Sequence, residues 1–162
     1  MNKKYISNLF RVKSHLLFTL FLINEFALSQ GFLTVTNELN FGDVFIGYNR
    51  TVTDLGPSAG RFQFYHMDDN RENVRITLAL PLTLTNGSNS VNIQFSQSYT
   101  SYSYTNSTTG RVYFNPYNPL IIRNLRRGRI VYFWLGGTVQ SSSNIIPGTY
   151  TGTINITVEI LP

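Results

Sequence analysis

Residues 74–80 read Val-Arg-Ile-Thr-Leu-Ala-Leu, with a large apolar side chain at every second position. Residues 154–160, Ile-Asn-Ile-Thr-Val-Glu-Ile, repeat the pattern near the C-terminus. Successive side chains of a β-strand point to opposite faces, so a period of two places one face on a core and the other in water. Both stretches are therefore predicted to be strands with one buried face.

The same alternation recurs in residues 33–41, 62–66 and 91–95, and no stretch after residue 30 keeps helical spacing for three turns. Turn signals separate the runs: Phe41-Gly42-Asp43, Gly56-Pro57-Ser58, Asn86-Gly87, Asn115-Pro116, Gly136-Gly137 and Pro147-Gly148. Asn86-Gly87 is the strongest hairpin signal, with a loop that we expect to exceed two residues. The spacing predicts an all-β chain folded as one antiparallel β-sandwich of about 7–9 strands.

The first 29 residues have the layout of a secretory signal peptide. Basic residues come first, namely Lys3, Lys4, Arg11 and Lys13. An apolar run follows at 16–23, and Ala27-Leu28-Ser29 provides small residues for cleavage. The apolar run is far shorter than the ~20 residues that cross a bilayer. We therefore expect residues 1–29 to be removed. Residues 30–162 would then form an exported domain in the periplasm, on the outer surface or outside the cell, with no membrane span.

Composition narrows the functional classes. The 162 residues suggest one domain, and 42% hydrophobic, 14% aromatic and 13% charged residues argue against disorder. No cysteine is present, which excludes disulfides, thiolate metal sites and cysteine nucleophiles. Removing residues 1–29 takes away four of 13 basic and one of eight acidic residues, lowering the net charge from +5 to +2. This small charge predicts no specific nucleic-acid binding, and no cofactor motif is found.

Three segments carry a family resemblance. Residues 39–47 read LNFGDVFIG, residues 135–139 read LGGTV, and residues 147–154 read PGTYTGTI. Their order and spacing resemble exported bacterial domains of unknown function related to spore coat protein U and to pilus subunits of the chaperone–usher type, over residues 38–161. The resemblance implies an immunoglobulin-like, pilin-like sandwich at the cell surface, with protein partners and no catalytic residue to carry over.

The segment at residues 30–39 has two interpretations. Subunits of the chaperone–usher type lack one strand, which a neighbour's N-terminal extension supplies. Residues 30–39 could be such a donor, or they could be the first strand of their own sandwich. The glycines of the three matching segments are also explained by folding alone: Gly136-Gly137 as a bulge where a strand changes sheets, and Gly148-Thr149-Tyr150 as the start of the last strand.

Two groups of residues are candidates for partner binding. Arg123, Arg126, Arg127 and Arg129 form a basic cluster that could bind a glycan or another polyanion, or could be a solvated loop before the strand Ile130–Leu135. Tyr99, Tyr102 and Tyr104 could form an aromatic binding face, or could pack in the core. Tyr102 and Tyr104 share one strand parity.

Acid–base chemistry has few candidates. His66 stands close to Asp68, as a hydrolase base and its orienting carboxylate would, but Asp and Asn also favour a plain turn here. Residues 68–72 offer carboxylate oxygens for calcium without the spacing of an EF-hand, which leaves calcium open. We therefore expect no enzyme.

The sequence favours a structural or adhesion-type protein of the envelope or surface, acting through strand edges or aromatic faces. The alternative is a stand-alone binding module for a glycan or polyanion.

Overall fold

The computed structural model describes residues 31–161, so the predicted signal peptide lies outside the described residues. Within this range the chain forms twelve β-strands and one 3-10 helix, and it contains no α-helix. The strands are Gly31–Asn37 (β1), Arg50–Val52 (β2), Gly60–His66 (β3), Glu72–Ala79 (β4), Thr83–Asn86 (β5), Asn89–Gln94 (β6), Thr100–Ser103 (β7), Val112–Tyr113 (β8), Leu120–Leu125 (β9), Ile130–Leu135 (β10), Gly137–Gln140 (β11) and Asn155–Leu161 (β12). The 3-10 helix, Gln97–Tyr99, immediately precedes β7.

The strands form three antiparallel sheets. A five-stranded sheet has the order β1-β3-β10-β7-β8, a four-stranded sheet β2-β11-β6-β5, and a three-stranded sheet β12-β4-β9. The predicted all-β sandwich is confirmed. More strands are present among residues 31–161 than the 7–9 expected, because several, such as β2 and β8, have only two or three residues. Elements this short leave no readable alternation in a sequence.

The main core lies between the five-stranded and three-stranded sheets. Phe62 and Phe133 stack with ring centroids 4.5 Å apart, and they meet Val74, Ile76 and Leu78 from β4. The stretch that begins at residue 74 is therefore a strand with its alternate apolar side chains buried, as predicted. Burying each such side chain contributes roughly 1.5–3 kcal/mol, which makes this layer the main source of stability.

One extended segment joins two sheets at Gly136. β10 pairs within the five-stranded sheet, whereas β11, which follows after this single residue, pairs within the four-stranded sheet. A Cβ atom on Gly136 would collide with the backbone carbonyl oxygen of Val52, so no larger residue fits without a backbone shift. This confirms the interpretation of Gly136-Gly137 as the point where a strand changes sheets.

The β5–β6 hairpin is tighter than we expected. Asn86 pairs with Asn89, so its loop contains only Gly87 and Ser88. Gly87 has a φ of 58°. A positive φ at the first central residue is typical of the primed turns that match the twist of paired strands. The prediction of a longer loop was therefore wrong.

The last strand begins later than the sequence suggested. Gly148-Thr149-Tyr150 lies outside β12, which starts at Asn155. Thr151 instead exchanges both backbone hydrogen bonds with Thr85, at 2.8 and 2.9 Å, and this ties its segment to the four-stranded sheet. The Tyr150 hydroxyl donates to the carbonyl oxygen of Ile146 at 2.8 Å, within the same connection.

Candidate functional site

β1 is an edge strand whose core-facing side is left open. Leu33 and Val35 lie opposite Phe64 and Phe62 of β3, and therefore share the face that points into the sandwich. The two phenylalanines are 3% and 5% exposed, whereas Leu33 is 38% and Val35 59% exposed. The apolar alternation of β1 is that of a core strand, but among residues 31–161 no neighbour covers it fully. Residues 31–37 are thus a strand of their own sandwich, paired with β3.

β12 is open in the same way at the edge of the three-stranded sheet. Its apolar side chains at 156, 158 and 160 lie opposite Leu78, Ile76 and Val74, which are all buried. The β12 side chains themselves are only partly buried, although they pack against the same core. Two edge strands, β1 of the five-stranded sheet and β12 of the three-stranded sheet, therefore leave core-facing apolar surface accessible.

An open cleft of about 1030 Å³ extends from these edges. Val35 of β1 and Ile156 of β12 both line it, together with Ile93 of β6 and Phe95, which directly follows that strand. Residues 38–46 and 145–154 form further walls. A hydrogen bond from the Gly47 backbone N–H to the Ser141 hydroxyl at 3.1 Å links the β1–β2 connection to the β11–β12 connection. The cleft could not be predicted from the sequence, because alternation shows which residues share a face but not whether another strand covers that face.

The arginine cluster lies at one end of the molecule. Arg123 belongs to β9, and Arg126–Arg129 form the turn that leads into β10, with Gly128 at a φ of 74°. The Gly128 backbone N–H donates to the carbonyl of His66 at 2.9 Å, and the His66 N–H donates to the carbonyl of Arg129 at 3.0 Å. The turn is therefore fixed to the end of β3, and all its arginines are exposed.

A fifth arginine joins this end of the molecule. Arg71 is exposed and lies next to Glu72, which pairs with Leu125 beside the turn. Asp69 forms an exposed ion pair with Arg127. Sequence reasoning missed Arg71 because the β4–β9 pairing brings together residues that are far apart in the chain. We call the set Arg71, Arg123, Arg126, Arg127 and Arg129 the arginine end.

The three candidate tyrosines do not form one continuous face. Tyr102 packs edge-on against Phe114 and tilted against Phe133, at centroid distances of 6.1 and 6.2 Å, and so belongs to the core. Burial raises the pKa of its phenol, and the nearby Tyr104 adds to the rise. Tyr104 is exposed beyond the end of β7, and Tyr99 is half-buried in the 3-10 helix.

His66 and Asp68 do not form the His–Asp pair considered for a hydrolase. His66 is fully buried, and its Nε2 lies 3.2 Å from the carbonyl oxygen of Asn70. Asp68 instead accepts a hydrogen bond from the Asn70 backbone N–H at 2.9 Å, which is typical of a polar turn. Residues 31–161 contain no group of three or more His, Asp or Glu side chains that could hold a metal ion, and the loop at 68–72 is included in that search.

A buried ion pair was also missed. Asp54 accepts hydrogen bonds from Arg111 Nη1 at 3.1 Å and from the Ser101 hydroxyl at 2.6 Å. The Arg111 guanidinium also lies 3.7 Å from the ring centroid of Trp134, in a cation–π contact. Asp54 and Arg111 are separated by 57 positions, so no local pattern predicts that they meet. The group holds the loop before β8 onto the outer face of the five-stranded sheet.

Two further findings concern classification. In the part of the chain that the structure describes, no helix has the length and apolar character needed to cross a membrane. A search of curated proteins finds no match. The family model described as domain of unknown function DUF4402 matches residues 33–159, which include most of β1 and most of β12. Since this match spans most of the chain, the protein belongs to the DUF4402 family.

Proposed function

We propose that this protein is a non-enzymatic subunit of a bacterial surface or envelope structure that associates with other subunits through its strand edges. One observation carries the proposal: the core-facing side chains of the edge strands β1 and β12 are incompletely covered, and Val35 and Ile156 among them line an open cleft. Soluble proteins usually protect such edges with charges, proline or a covering loop. An uncovered pair of edges is suited to contact with another chain.

The physical gain from such a contact has two parts. An added extended segment would pair with the free backbone groups of an edge strand and would bury apolar side chains that now face water. Leu33 and Val35, at 38% and 59% exposure, would each contribute roughly 0.5–1 kcal/mol when covered. Backbone hydrogen bonds would set the orientation of the added segment, and the apolar side chains would supply affinity.

Export and a relation to spore coat protein U and chaperone–usher subunits belong to the same proposal. The signal-peptide layout of residues 1–29 supports export to the envelope or surface, where such assemblies form. The segments LNFGDVFIG, LGGTV and PGTYTGTI support the relation. Their glycines occupy places with a structural requirement, such as Gly42 and Gly47 at φ values of 60° and 77°.

The test is the solution mass of the full chain after export by an expression host, measured by size-exclusion chromatography with light scattering. We expect multiples of the subunit mass at high protein concentration. Val35→Ser with Leu33→Ser should shift the population to the monomer, because these side chains face the cleft side of β1. Phe32→Ser is the matched control, since Phe32 lies on the opposite face of the same strand. A wild-type protein that stays monomeric at every concentration would contradict the proposal.

A further inference from the structure

The positive charge of the described chain is concentrated at the arginine end. The other four arginines, at 50, 61, 75 and 111, are matched in number by the acidic residues at 38, 43, 54 and 159. Five arginines at this end face three acids, Asp68, Asp69 and Glu72, which gives +2. This equals the net charge of residues 31–161, so the rest of the described surface is neutral in sum. The net attraction for an anionic ligand is therefore centred on this end.

Most cations at this end are available to a ligand. Arg71, Arg123, Arg126 and Arg129 are exposed and have no ion-pair partner among the described residues. Arg127 is paired with Asp69, but both side chains are more than half exposed, so that pair is weak and easily exchanged. Guanidinium groups bind carboxylates and sulfates through two parallel N–H···O hydrogen bonds, so exposed arginines are suited to binding such anions.

A row of aromatic rings begins beside this end, on the outer face of the five-stranded sheet. Phe32 is 54% exposed and stacks on Tyr65 with centroids 6.4 Å apart and planes inclined by 13°. Tyr132 is half-buried on the same face, opposite Gln63 of β3. We call Phe32, Tyr65 and Tyr132 the ring row. Its members come from β1, β3 and β10, which are neighbours in the sheet.

The ring row and the arginine end are continuous through the backbone. Tyr65 pairs with Ile130, the residue that directly follows Arg129 of the turn. His66, next to Tyr65, is joined to that turn by two backbone hydrogen bonds. One surface therefore presents apolar ring faces, the polar Gln63 and Thr34 between them, and cations at its end.

We propose that this surface binds a linear acidic polysaccharide. Aromatic side chains offer a rigid apolar area with a polar tip, against which the apolar face of a sugar ring can pack, while uronate carboxylates or sulfates accept hydrogen bonds from the arginine end. Such a polymer carries at most a few charges over the length of this surface, which is comparable with the local net charge of +2. Duplex nucleic acid, with one charge per ~1.7 Å, is more densely charged and is therefore repelled more strongly by the three carboxylates of this end.

The test measures binding of the exported full chain to polygalacturonate by titration calorimetry, with dextran as the neutral polymer. Arg126→Ala with Arg129→Ala should weaken binding about tenfold, because it removes two of the four cations at this end that have no ion-pair partner in the described chain. Phe32→Leu, which keeps apolar volume but removes the ring, should weaken it roughly threefold to fivefold. Arg50→Ala and Tyr48→Leu, at exposed positions away from this surface, are the matched controls and should bind as the wild type does.

Several results would overturn the proposal. Absence of polygalacturonate binding would do so directly, and so would equal binding of dextran. If the double arginine variant loses binding but Phe32→Leu does not, and single-stranded DNA binds as tightly as polygalacturonate, the site is a general polyanion site and not a glycan site. Unchanged thermal melting of each variant shows that lost binding is not lost folding. The solution mass is recorded separately, so failure here leaves the assembly proposal standing.

Discussion

At one edge of the five-stranded sheet, the chain leaves β8 and turns back into the core, where Phe114 packs edge-on against Phe133 with centroids 6.5 Å apart. Arg111 and Asp54 cover the outer face beside it. At the opposite edge, β1 presents Leu33 and Val35 toward the core side, where the described part of the chain leaves them 38% and 59% exposed. The same sheet is therefore closed at one edge and open at the other. The closed edge contributes to the stability of the fold, and the open edge can contact another chain.

The largest effect should come from the closed side. Phe133→Ala removes a side chain that is 1% exposed and stacked on Phe62, and its loss leaves a cavity that the surrounding rings cannot fill. We expect the free energy of unfolding to fall by about 4 kcal/mol, measured by urea denaturation at pH 7. A fall below about 2 kcal/mol would mean that the closed side is less tightly packed than its geometry indicates.

The second effect concerns the buried ion pair. Asp54→Ala leaves the Arg111 guanidinium buried without its carboxylate, since the two side chains are 3% and 5% exposed. The expected loss in urea denaturation is about 3 kcal/mol. Adding Arg111→Met to the Asp54→Ala variant should recover part of this loss, because no unpaired charge then remains buried. If the double variant is less stable than the single one, the hydrogen bonds of Arg111 matter more than its charge balance.

The third prediction is a small change in the free energy of unfolding, and it tests the open edge at β1. Val35→Ala shortens a side chain that is 59% exposed, so the isolated subunit should lose only about 0.5 kcal/mol of unfolding free energy. The same substitution at the buried Val74 is the matched comparison and should cost about 2 kcal/mol or more. Equal losses at the two valines would show that β1 is covered in solution.

The smallest effect is a pH dependence. Burial raises the pKa of Tyr102 above its ordinary value near 10. From about pH 10 upward the unfolded chain loses this proton while the folded chain retains it, so the stability linked to Tyr102 is present below pH 10 and falls as pH rises. Tyr102→Phe should therefore flatten the fall in unfolding free energy between pH 9 and 11.

Sequence periodicity predicted where the strands lie far better than it predicted which strands are adjacent in a sheet. The strand at Ile130–Leu135 has the predicted bounds, and Phe62, Phe64 and His66 share a buried face as their parity indicated. Tyr102 and Tyr104 have rings in edge-on contact, with centroids 6.2 Å apart, but their shared parity did not show that β7 ends at Ser103 and leaves the second tyrosine beyond the strand. A period of two assigns a side chain to a face, but it carries no information on where pairing ends.

The candidate sites could be predicted only in part, for a related reason. Arg126, Arg127 and Arg129 are close in sequence, and they also lie together in the structure, whereas Arg71 joins them only through the pairing of β4 with β9. The cleft depends on which strands are left at sheet edges. That is a property of the whole topology, so the alternating residues of β1 and β12 looked the same as those of any core strand.

The passage of one extended segment through Gly136 has a consequence for how the molecule opens. Residues 130–135 are hydrogen bonded between β3 and β7, and residues 137–140 between β2 and β6. A single run of chain therefore holds central positions in two sheets, and neither sheet can lose it without straining the other. Protein segments that share such an element exchange their amide hydrogens as one cooperative unit. The slowest-exchanging amides of β10 and β11 should accordingly report one common opening event, while those of β1 exchange earlier and independently.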